Sequence, residues 1–189
     1  MYDFVDQRRI VYITFAIILF ISSLIAPTAV FYPLKTVFIT PAALYVGTSY
    51  LSLITGGIGI ALVACGLIAL AVFENRLKRY LISGILFALG IVGVSLSLSD
   101  YYYMTEDEFF YNSPLSFSEE SYIWEDFEKV EERIGKKDNT NTVESIALYF
   151  KNGDSIEMSS GRIFEMSGSL INKIEQAGGS HERIDVTSK

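Results

Sequence analysis

The longest uncharged stretch of the chain runs from Thr36 to Phe73 and reads TVFITPAALYVGTSYLSLITGGIGIALVACGLIALAVF. It contains 38 residues, with no Asp, Glu, Lys, Arg or His among them. About 20 apolar residues in a helix cross the hydrocarbon layer of a bilayer, so the second half of this stretch is long enough for one crossing. Two further uncharged runs, Ile10–Leu34 and Tyr80–Ser99, flank it. The sequence therefore predicts an integral membrane protein.

The three runs predict three transmembrane helices, at about residues 10–32, 46–73 and 80–99, in a membrane region that covers residues 1–99. The chain has 189 residues and half of them are apolar, a high share for a soluble domain. A cleaved signal peptide is the alternative for the first run. Because Pro27 directly follows its small-residue site, we expect an uncleaved span instead. The segment from Pro33 to Tyr45 is expected at the membrane–water interface.

Basic residues near the span ends are unevenly distributed. With three spans, Lys35 lies alone on one side and five basic residues lie on the other: Arg8, Arg9, Arg76, Lys78 and Arg79. Basic residues are retained on the cytoplasmic side of a membrane. We therefore expect a multi-pass protein of the cell membrane with a cytoplasmic N-terminus and an extracytoplasmic C-terminal domain. A four-span arrangement would place Lys35 in or near the membrane and separate the two basic clusters, which disfavours it.

Small residues recur every four positions in the second span. They form a ridge that favours close helix packing in lipid, where hydrophobicity does not drive association; the ridge consists of Gly57, Ala61, Cys65 and Ala69. The third span has a shorter match in Gly84 and Ala88. We expect these two helices to pack on each other within one chain. A homo-oligomer through the same small-residue faces is the open alternative.

The periodicity of the sequence changes after Asp100. Short aromatic and aliphatic runs alternate with turns, of which Asn152-Gly153 is a strong hairpin signal. Near the end, one face of an amphipathic helix is formed by Ile163, Met166, Leu170, Ile174 and Ala177, and Gly178-Gly179 ends that helix. The pattern predicts a small α+β domain at residues 100–179, with five or six strands and a closing helix. A flexible tail is expected at residues 180–189.

The order of elements in this domain resembles that of bacterial pleckstrin-homology-like (PH-like) domains. Four features carry the resemblance: Tyr102-Tyr103-Met104-Thr105 directly after a span, Tyr122-x-Trp124-x-Asp126 before a strand, the Asn152-Gly153 hairpin and the final helix. The resemblance covers about residues 101–178 and implies a partly open β-barrel closed by the C-terminal helix, with no reaction. Such domains commonly follow two or more spans in small membrane proteins of Gram-positive bacteria. Lipid-binding members have a basic first hairpin, whereas Thr105–Glu108 contains three carboxylates.

The residues of common catalytic sites are not found together in this sequence. The sole cysteine, Cys65, lies in a span, and the sole histidine, His181, lies far from it near the C-terminus. This separation disfavours Cys–His catalysis and His-based metal sites. The second and third spans contain no ionisable side chain of the kind that transporters use, and no Gly-rich phosphate loop occurs. We expect no enzyme, no cofactor and no metal, and a solvated acidic surface at carboxylate pairs such as Glu131/Glu132.

Binding is the function class that remains. Residues 100–189 carry a net charge of −10, which disfavours nucleic acid and favours a cationic or neutral protein or peptide partner. The candidate interaction surface is an aromatic cluster with one carboxylate, for which a core position is the alternative: Tyr101, Tyr103, Phe109, Tyr111, Trp124 and Asp126. We predict a non-catalytic interaction or sensing module, with self-protection against a secreted peptide as a narrower version. A transport or channel accessory subunit, in which the spans carry the function, is the alternative.

Overall fold

The computed structural model describes residues 7–39, 43–113, 118–137 and 140–186. These residues form two compact units. The helical unit consists of the chain up to Ile39 together with Leu51–Asp100, and the sheet-rich unit consists of Thr40–Tyr50 together with Tyr101–Lys189. The short segment between the first two long helices therefore belongs to the sheet-rich unit.

The first helix changes its winding partway along. Helix α1 (Gln7–Ala26) continues through a π-helical segment (Pro27–Phe31), one α-helical turn called α2 (Tyr32–Leu34) and a second π-helical segment (Lys35–Ile39). Proline has no N–H to donate to the carbonyl four residues earlier, and a π-helical widening accommodates such a gap. The helix from Gln7 to Val37 is long and apolar enough to cross a membrane, and it extends the predicted first span at both ends.

Two further helices are also long and apolar enough to cross a membrane: α3 (Tyr50–Val72) and α4 (Arg76–Ser99). Three helices of the predicted kind are therefore present. Helix α3 begins later than the predicted residue 46, because Val46 lies in a β-strand. Helix α4 begins where Asn75 caps it, since the Asn75 side-chain oxygen accepts hydrogen bonds from the N–H groups of Leu77 and Lys78, as an N-cap residue does.

Helices α3 and α4 approach each other closely at glycines. A Cβ atom on Gly59 would lie 2.8 Å from the carbonyl oxygen of Gly90, and one on Gly93 would lie 3.1 Å from the Cα atom of Gly59. Nearby, the Ser52 hydroxyl donates to the carbonyl of Ser97 at 2.8 Å. The two backbones are thus in direct contact, which only residues without a side chain allow. Close backbone contact of this kind is how helices associate in lipid, where hydrophobicity does not drive association.

The predicted ridge of small residues lies on a different face of α3. Gly57 faces α1, where a Cβ atom would lie 2.8 Å from the carbonyl oxygen of Ser23. Glycine at position 57 therefore allows the main chain of α1 to approach α3 closely. Of the other ridge residues, Ala69 is buried, and Ala61 and Cys65 are half-buried.

The pair Gly84 and Ala88 lies away from the helix contacts. Within the described part of the chain, a Cβ atom on Gly84 would meet no atom within 4 Å, and Ala88 is exposed. The intrachain packing predicted for this pair is therefore wrong. Gly90 and Gly93 take that role instead, because they are the glycines of α4 that face α3.

Eight strands in the described residues form two four-stranded sheets. The first sheet has the order β1 (Tyr45–Gly47), β2 (Tyr101–Met104), β3 (Glu108–Asn112) and β4 (Glu120–Ile123), all antiparallel. The second has the order β7 (Ser155–Met158), β6 (Thr140–Phe150), β5 (Phe127–Lys137) and β8 (Ser180–Asp185). Strands β5 and β8 are parallel, and the other pairs of this sheet are antiparallel. Helix α5 (Ile163–Gln176) lies between β7 and β8 in the chain.

Both sheets and α5 contribute to one hydrophobic core. The predicted apolar face of α5 enters it through four buried residues: Ile163, Met166, Leu170 and Ile174. The first sheet contributes Met104 and Phe109, and the second contributes Phe127, Leu148 and Phe150. A C-terminal sheet-rich domain with a core helix is therefore present.

Strand β1 is an unpredicted member of the first sheet. Gly47 pairs with Tyr102, and the Tyr102 ring occupies the space where a Cβ atom on residue 47 would stand. The N–H of Leu44 extends the pairing by donating to the carbonyl of Met104 at 2.9 Å. The sequence predicts the interface and the start of the second span at these residues. They form a strand because β2, distant in sequence, supplies the hydrogen-bond partners.

One other local prediction differs from the structure. Residues 180–185 form β8 rather than part of a flexible tail, because the main chain of β5 offers them a parallel partner from Lys129 to Ile134. The polar segment Gly135–Thr142 lies largely in strands, since β5 runs to Lys137 and β6 begins at Thr140. Trp124 does not continue β4 but begins a 3-10 turn, Trp124–Asp126.

Replacing Gly59 by valine is expected to destabilise the helical unit, because the new side chain would overlap the backbone of α4. Overpacking typically costs about 1–3 kcal/mol. Thermal unfolding of the purified full-length protein in detergent measures the loss. Gly84→Val is the matched control, since open space surrounds that position. Equal unfolding midpoints for the two variants would contradict the close approach of α3 and α4.

Candidate interaction surface

The first sheet separates the predicted aromatic cluster into two sets. The β2–β3 hairpin turns at Thr105–Asp107, as predicted, and places Tyr103 opposite Phe110 and Met104 opposite Phe109. Neighbouring side chains in a strand point to opposite faces of the sheet. Tyr103 therefore shares the outer face with Tyr101 and Phe110, whereas Phe109 and Met104 point into the core, where both are buried.

The outer set forms a row of stacked rings, called the tyrosine face below and defined as Tyr101, Tyr103 and Phe110. The rings of Tyr103 and Phe110 lie 4.5 Å apart between centroids and only 5° from parallel. The rings of Tyr101 and Tyr103 lie 6.3 Å apart at 26°. All three side chains are half-buried. Stacked pairs contribute about 0.5–1.5 kcal/mol beyond burial, so the tyrosine face is an ordered surface that stays accessible.

A carboxylate lies at the edge of the tyrosine face. The Tyr103 hydroxyl donates to Oε1 of Glu119 at 3.1 Å. Burial, together with the Glu119 charge and hydrogen bond, raises the pKa of Tyr103 above its ordinary value. Burial and Glu119 also raise the pKa of Tyr101, although a hydrogen bond with Asn112 opposes the shift. Both phenols therefore remain protonated at physiological pH and keep their hydroxyl groups as donors beside a carboxylate.

The chain segment that carries the tyrosine face is strongly acidic. Residues 101–128 contain eight carboxylates and no Lys or Arg. Basic groups from elsewhere in the chain contact this segment: Lys173 of α5 pairs with the carboxylate of Glu106 at 2.8 Å, and Lys151 donates to the main-chain carbonyl of Glu125. The faces of aromatic rings attract cations, and so do carboxylates. The arrangement therefore suits an arginine or lysine side chain of a partner.

Two other predicted surface residues belong to the core. Phe109 is fully buried and Trp124 is 6% exposed. Trp124 lies 5.6 Å from Phe127 between ring centroids, and its Nε1–H donates to the carbonyl of Glu106 at 2.9 Å. A buried indole with a satisfied N–H is a structural tryptophan. The sequence left a core position open as the alternative for this cluster, and Phe109 and Trp124 do lie in the core.

The remaining predicted residues lie elsewhere. Tyr111 is half-buried and packs against the core from the inner face of the first sheet. Asp126 is exposed at the end of the 3-10 turn, and its main-chain carbonyl accepts a hydrogen bond from the N–H of Lys151 at 2.8 Å. Of the six predicted residues, the structure thus brings only Tyr101 and Tyr103 together on the outer face.

Sequence reasoning missed Phe110 and Glu119. A signal for Phe110 existed, because strand alternation counted outward from the Thr105–Asp107 turn places it on the same face as Tyr103. No local signal indicates Glu119. It meets Tyr103 only after the chain returns from β3 towards β4, and residues 114–117 of that connection lie outside the described residues.

The outer face of the second sheet carries a network of charges rather than a solvated acidic surface. The Glu131 carboxylate pairs with Lys129 at 2.6 Å and accepts a hydrogen bond from the Tyr149 hydroxyl at 3.0 Å. Arg133 approaches it at 3.7 Å and also pairs with Glu157 at 2.7 Å. The Glu131 side chain is only 7% exposed. The predicted solvated surface is wrong here, because the side chains of Lys129, Arg133 and Tyr149 contact the carboxylate.

Glu132 is buried as well, and its partners lie on β8. Its carboxylate is 3.1 Å from Nε2 of His181 and accepts a hydrogen bond from Nε of Arg183 at 2.7 Å. These contacts tie the last strand to the sheet, so His181 has a structural position. Among the residues that the structure describes, no group of three His, Cys, Asp or Glu is placed to hold a metal ion.

Comparison of the chain with models of protein families, with curated proteins and with solved structures gave no match. Function is therefore inferred from the chemistry of the tyrosine face. Its ring faces, neutral phenols and adjacent carboxylate are groups that can make cation–π contacts, hydrogen bonds and ion pairs.

Replacing Glu131 by glutamine is expected to destabilise the sheet-rich unit at neutral pH. Burial alone raises the pKa of Glu131, but hydrogen bonds from Lys129 and Tyr149 and the charges of Lys129 and Arg133 outweigh it and lower the pKa below its ordinary 4.5. A carboxylate with a depressed pKa stabilises the fold above its unfolded-state pKa, and this contribution is lost as pH falls through the folded-state pKa. The loss at pH 7 should be about 1–3 kcal/mol.

Thermal unfolding of the full-length protein across a pH series measures this effect. Wild type and Glu131→Gln should differ at pH 7 and converge as pH falls below the ordinary carboxyl pKa of 4.5. Glu182→Gln is the control, because that side chain is 54% exposed and lies 3.4 Å from Lys129. A difference for Glu131→Gln that persists unchanged into acid would contradict the depressed pKa.

Proposed function

We propose that this chain is a multi-pass protein of the cell membrane whose sheet-rich domain binds a cationic segment of a protein or peptide. The observation that carries the proposal is the tyrosine face. It presents three stacked, half-buried rings beside Glu119, in a segment with eight carboxylates and no basic residue. Binding is favoured over catalysis because the buried carboxylates of the second sheet are engaged by basic partners within the domain.

Membrane placement is supported by the three long apolar helices. The pairing of β1 with β2 also requires residues 45–47 and 101–104 to lie on the same side of a bilayer. Helices α3 and α4 separate these two strands in the chain. Two crossings return the chain to the side that it left, so the strand pairing agrees with a three-span arrangement.

The proposed orientation places the N-terminus in the cytoplasm and the sheet-rich domain outside. Lys35 was the one basic residue expected on the outer side. It is fully buried, and its ammonium group donates to the carbonyl of Asp100 at 2.6 Å. Asp100 caps the C-terminal end of α4, where a cation complements the helix dipole. The charge of Lys35 is therefore engaged within the helical unit. The basic residues at the opposite end of the helices then set the orientation.

A PH-like relationship for the sheet-rich domain is part of the proposal. It is supported by two sheets that share a core and by a C-terminal helix whose apolar face enters that core. Strands β1 and β8 are additions to the pattern that the sequence suggested. A partly open barrel of this kind would serve as a binding module.

Short connections join the tyrosine face to the apolar helices. One residue, Asp100, separates α4 from Tyr101, and two residues, Thr48 and Ser49, separate β1 from α3. We propose a sensing role, in which binding of a ligand to the tyrosine face is the signal. Self-protection against a secreted cationic peptide is the narrower form of this role.

The peptide-binding proposal can be tested with the full-length protein in phosphatidylcholine nanodiscs and a fluorescent deca-arginine peptide. Saturable binding that weakens as salt is raised is expected, because exposed charges are screened. Tyr103→Ala removes the central ring and Glu119→Gln removes the adjacent charge. Each should weaken binding about twofold to fivefold.

Two controls make this test specific to the tyrosine face. Tyr103→Phe keeps the ring and should retain most of the affinity. Glu175→Gln removes an equally exposed carboxylate from α5 and should leave the affinity unchanged. An equal loss in Glu175→Gln, or full binding by Tyr103→Ala, would show that overall charge attracts the peptide and would overturn the proposed site.

The orientation can be tested by cysteine labelling in a Cys65→Ser background. Asn152→Cys lies at an exposed hairpin tip of the sheet-rich unit, and Arg76→Cys lies at the exposed start of α4. An impermeant thiol reagent should label only the former on intact cells and both after permeabilisation. Labelling of position 76 without position 152 on intact cells would reverse the proposed orientation.

A further inference from the structure

A basic cavity of about 90 Å³ lies at one end of the helical unit. It is formed where the starts of α1 and α4 meet the last turns of α3. Its lining consists of Arg8, Arg9, Tyr12, Leu70, Arg79 and Tyr80. Three arginines from two helices thus line a single cavity.

We propose that this cavity binds the phosphate group of an anionic phospholipid. The planar guanidinium presents its N–H donors in a fork that matches phosphate oxygens, and several arginines together satisfy one phosphate. Basic pockets between transmembrane helices bind anionic headgroups in this way. The inference depends on the membrane placement proposed above and is independent of the tyrosine face.

The local charges favour an anion. Among the described residues, no acidic one lines the cavity, and neither the first turn of α1 nor that of α4 contains one. The Arg79 guanidinium lies 5.0 Å from the centroid of the Tyr80 ring and donates to the Tyr80 hydroxyl at 3.4 Å, which holds the cation at the cavity wall. Glu74, in the preceding link, is exposed. Asp3 and Asp6 precede the cavity in the sequence and lie outside the described residues.

The surroundings favour a lipid over a free phosphate ion. A second cavity, of about 340 Å³, adjoins the first through Arg8 and Tyr12 and also has Val11 in its wall. Val11 is 48% exposed and Leu77, at the start of α4, is 76% exposed. Acyl chains would cover such apolar side chains. Tyrosine is enriched at the headgroup level of membranes. The cavity lining contains one tyrosine from α1, Tyr12, and one from α4, Tyr80.

Native mass spectrometry of the full-length protein, released from micelles that contain phosphatidylglycerol and phosphatidylcholine, tests the inference. The wild-type protein should retain phosphatidylglycerol in preference to phosphatidylcholine. Arg79→Gln and Arg9→Gln should each reduce this retention about fivefold, the effect of losing one basic group near an anionic headgroup. Lys78→Gln is the matched control, because it removes the same charge from the adjoining residue, which does not line the cavity.

Each outcome of this test decides a separate question. Equal losses in Lys78→Gln and Arg79→Gln, or no preference for phosphatidylglycerol in the wild type, would overturn the cavity as a lipid site. Displacement of phosphatidylglycerol by inorganic phosphate would show that a free anion is the ligand and overturn the lipid assignment. Arg9→Gln provides the same test on α1 if Arg79→Gln fails to fold. Alkaline extraction of membranes checks insertion alone, so release of the protein there would count against the membrane placement itself.

Discussion

The pairing of β1 with β2 is the contact on which the sheet-rich unit depends most. It joins Gly47 to Tyr102, 55 positions later in the chain. Residue 47 must be glycine, because the Tyr102 ring fills the space of its side chain. The next carbonyl, of Thr48, lies where a side chain on Gly161 would stand, and Gly161 has a φ of +94°, which favours glycine. A three-residue strand is thus held by the sheet on one side and by the turn before α5 on the other.

This pairing makes the domain depend on the helices that interrupt it. Closing a long loop costs conformational entropy that grows slowly with loop length, and most of this loop consists of α3 and α4. Their glycine contact at Gly59 and Gly90 turns the loop into a helical hairpin, which shortens the distance that the chain must close. The first sheet should therefore be completed only after α3 and α4 have packed. A fragment limited to residues 100–179 lacks β1 and β8, and it would expose the edges of β2 and β5.

The parts of the fold that the sequence predicts are those with local causes. Length and the absence of charge predict the three apolar helices, and a 3.6-residue period predicts the buried face of α5. Turn chemistry predicts the hairpin at Asn152-Gly153, where Gly153 has a φ of +92°. Strand β1 has only three residues, and β8 is largely polar. Neither has a clear strand pattern, and both form strands because distant segments supply their hydrogen-bond partners. The helix contact was assigned to the wrong face of α3 because several glycines lie close together there, and no periodicity tells which of them meets α4.

The same distinction applies to the candidate surface. The sequence does not show which residues of an aromatic cluster face the core until the strand register is known. A shift of one residue in that register exchanges the core-facing and surface-facing side chains. Trp124 and Phe109 were grouped with Tyr103 by composition, but the β2–β3 register separates them. The carboxylate partner of Tyr103 comes from beyond β3, so the electrostatic character of the tyrosine face depends on tertiary structure. The sequence could therefore predict an acidic binding domain, but it could not predict which rings face a partner.

The two proposed sites have opposite charge, and this difference determines what each part of the chain can approach. Residues 100–189 carry a net charge of −10, whereas residues 1–99 carry +3. Exposed charges act over about 8 Å at physiological ionic strength, so each site responds to its own surroundings rather than to the total of −7. An anionic headgroup is attracted by the arginines of the helical unit and repelled by the carboxylates of the hairpin at Thr105–Glu108. If both proposals hold, anionic lipid headgroups would be repelled from the acidic domain, and its ring faces would stay accessible to a cation from solution.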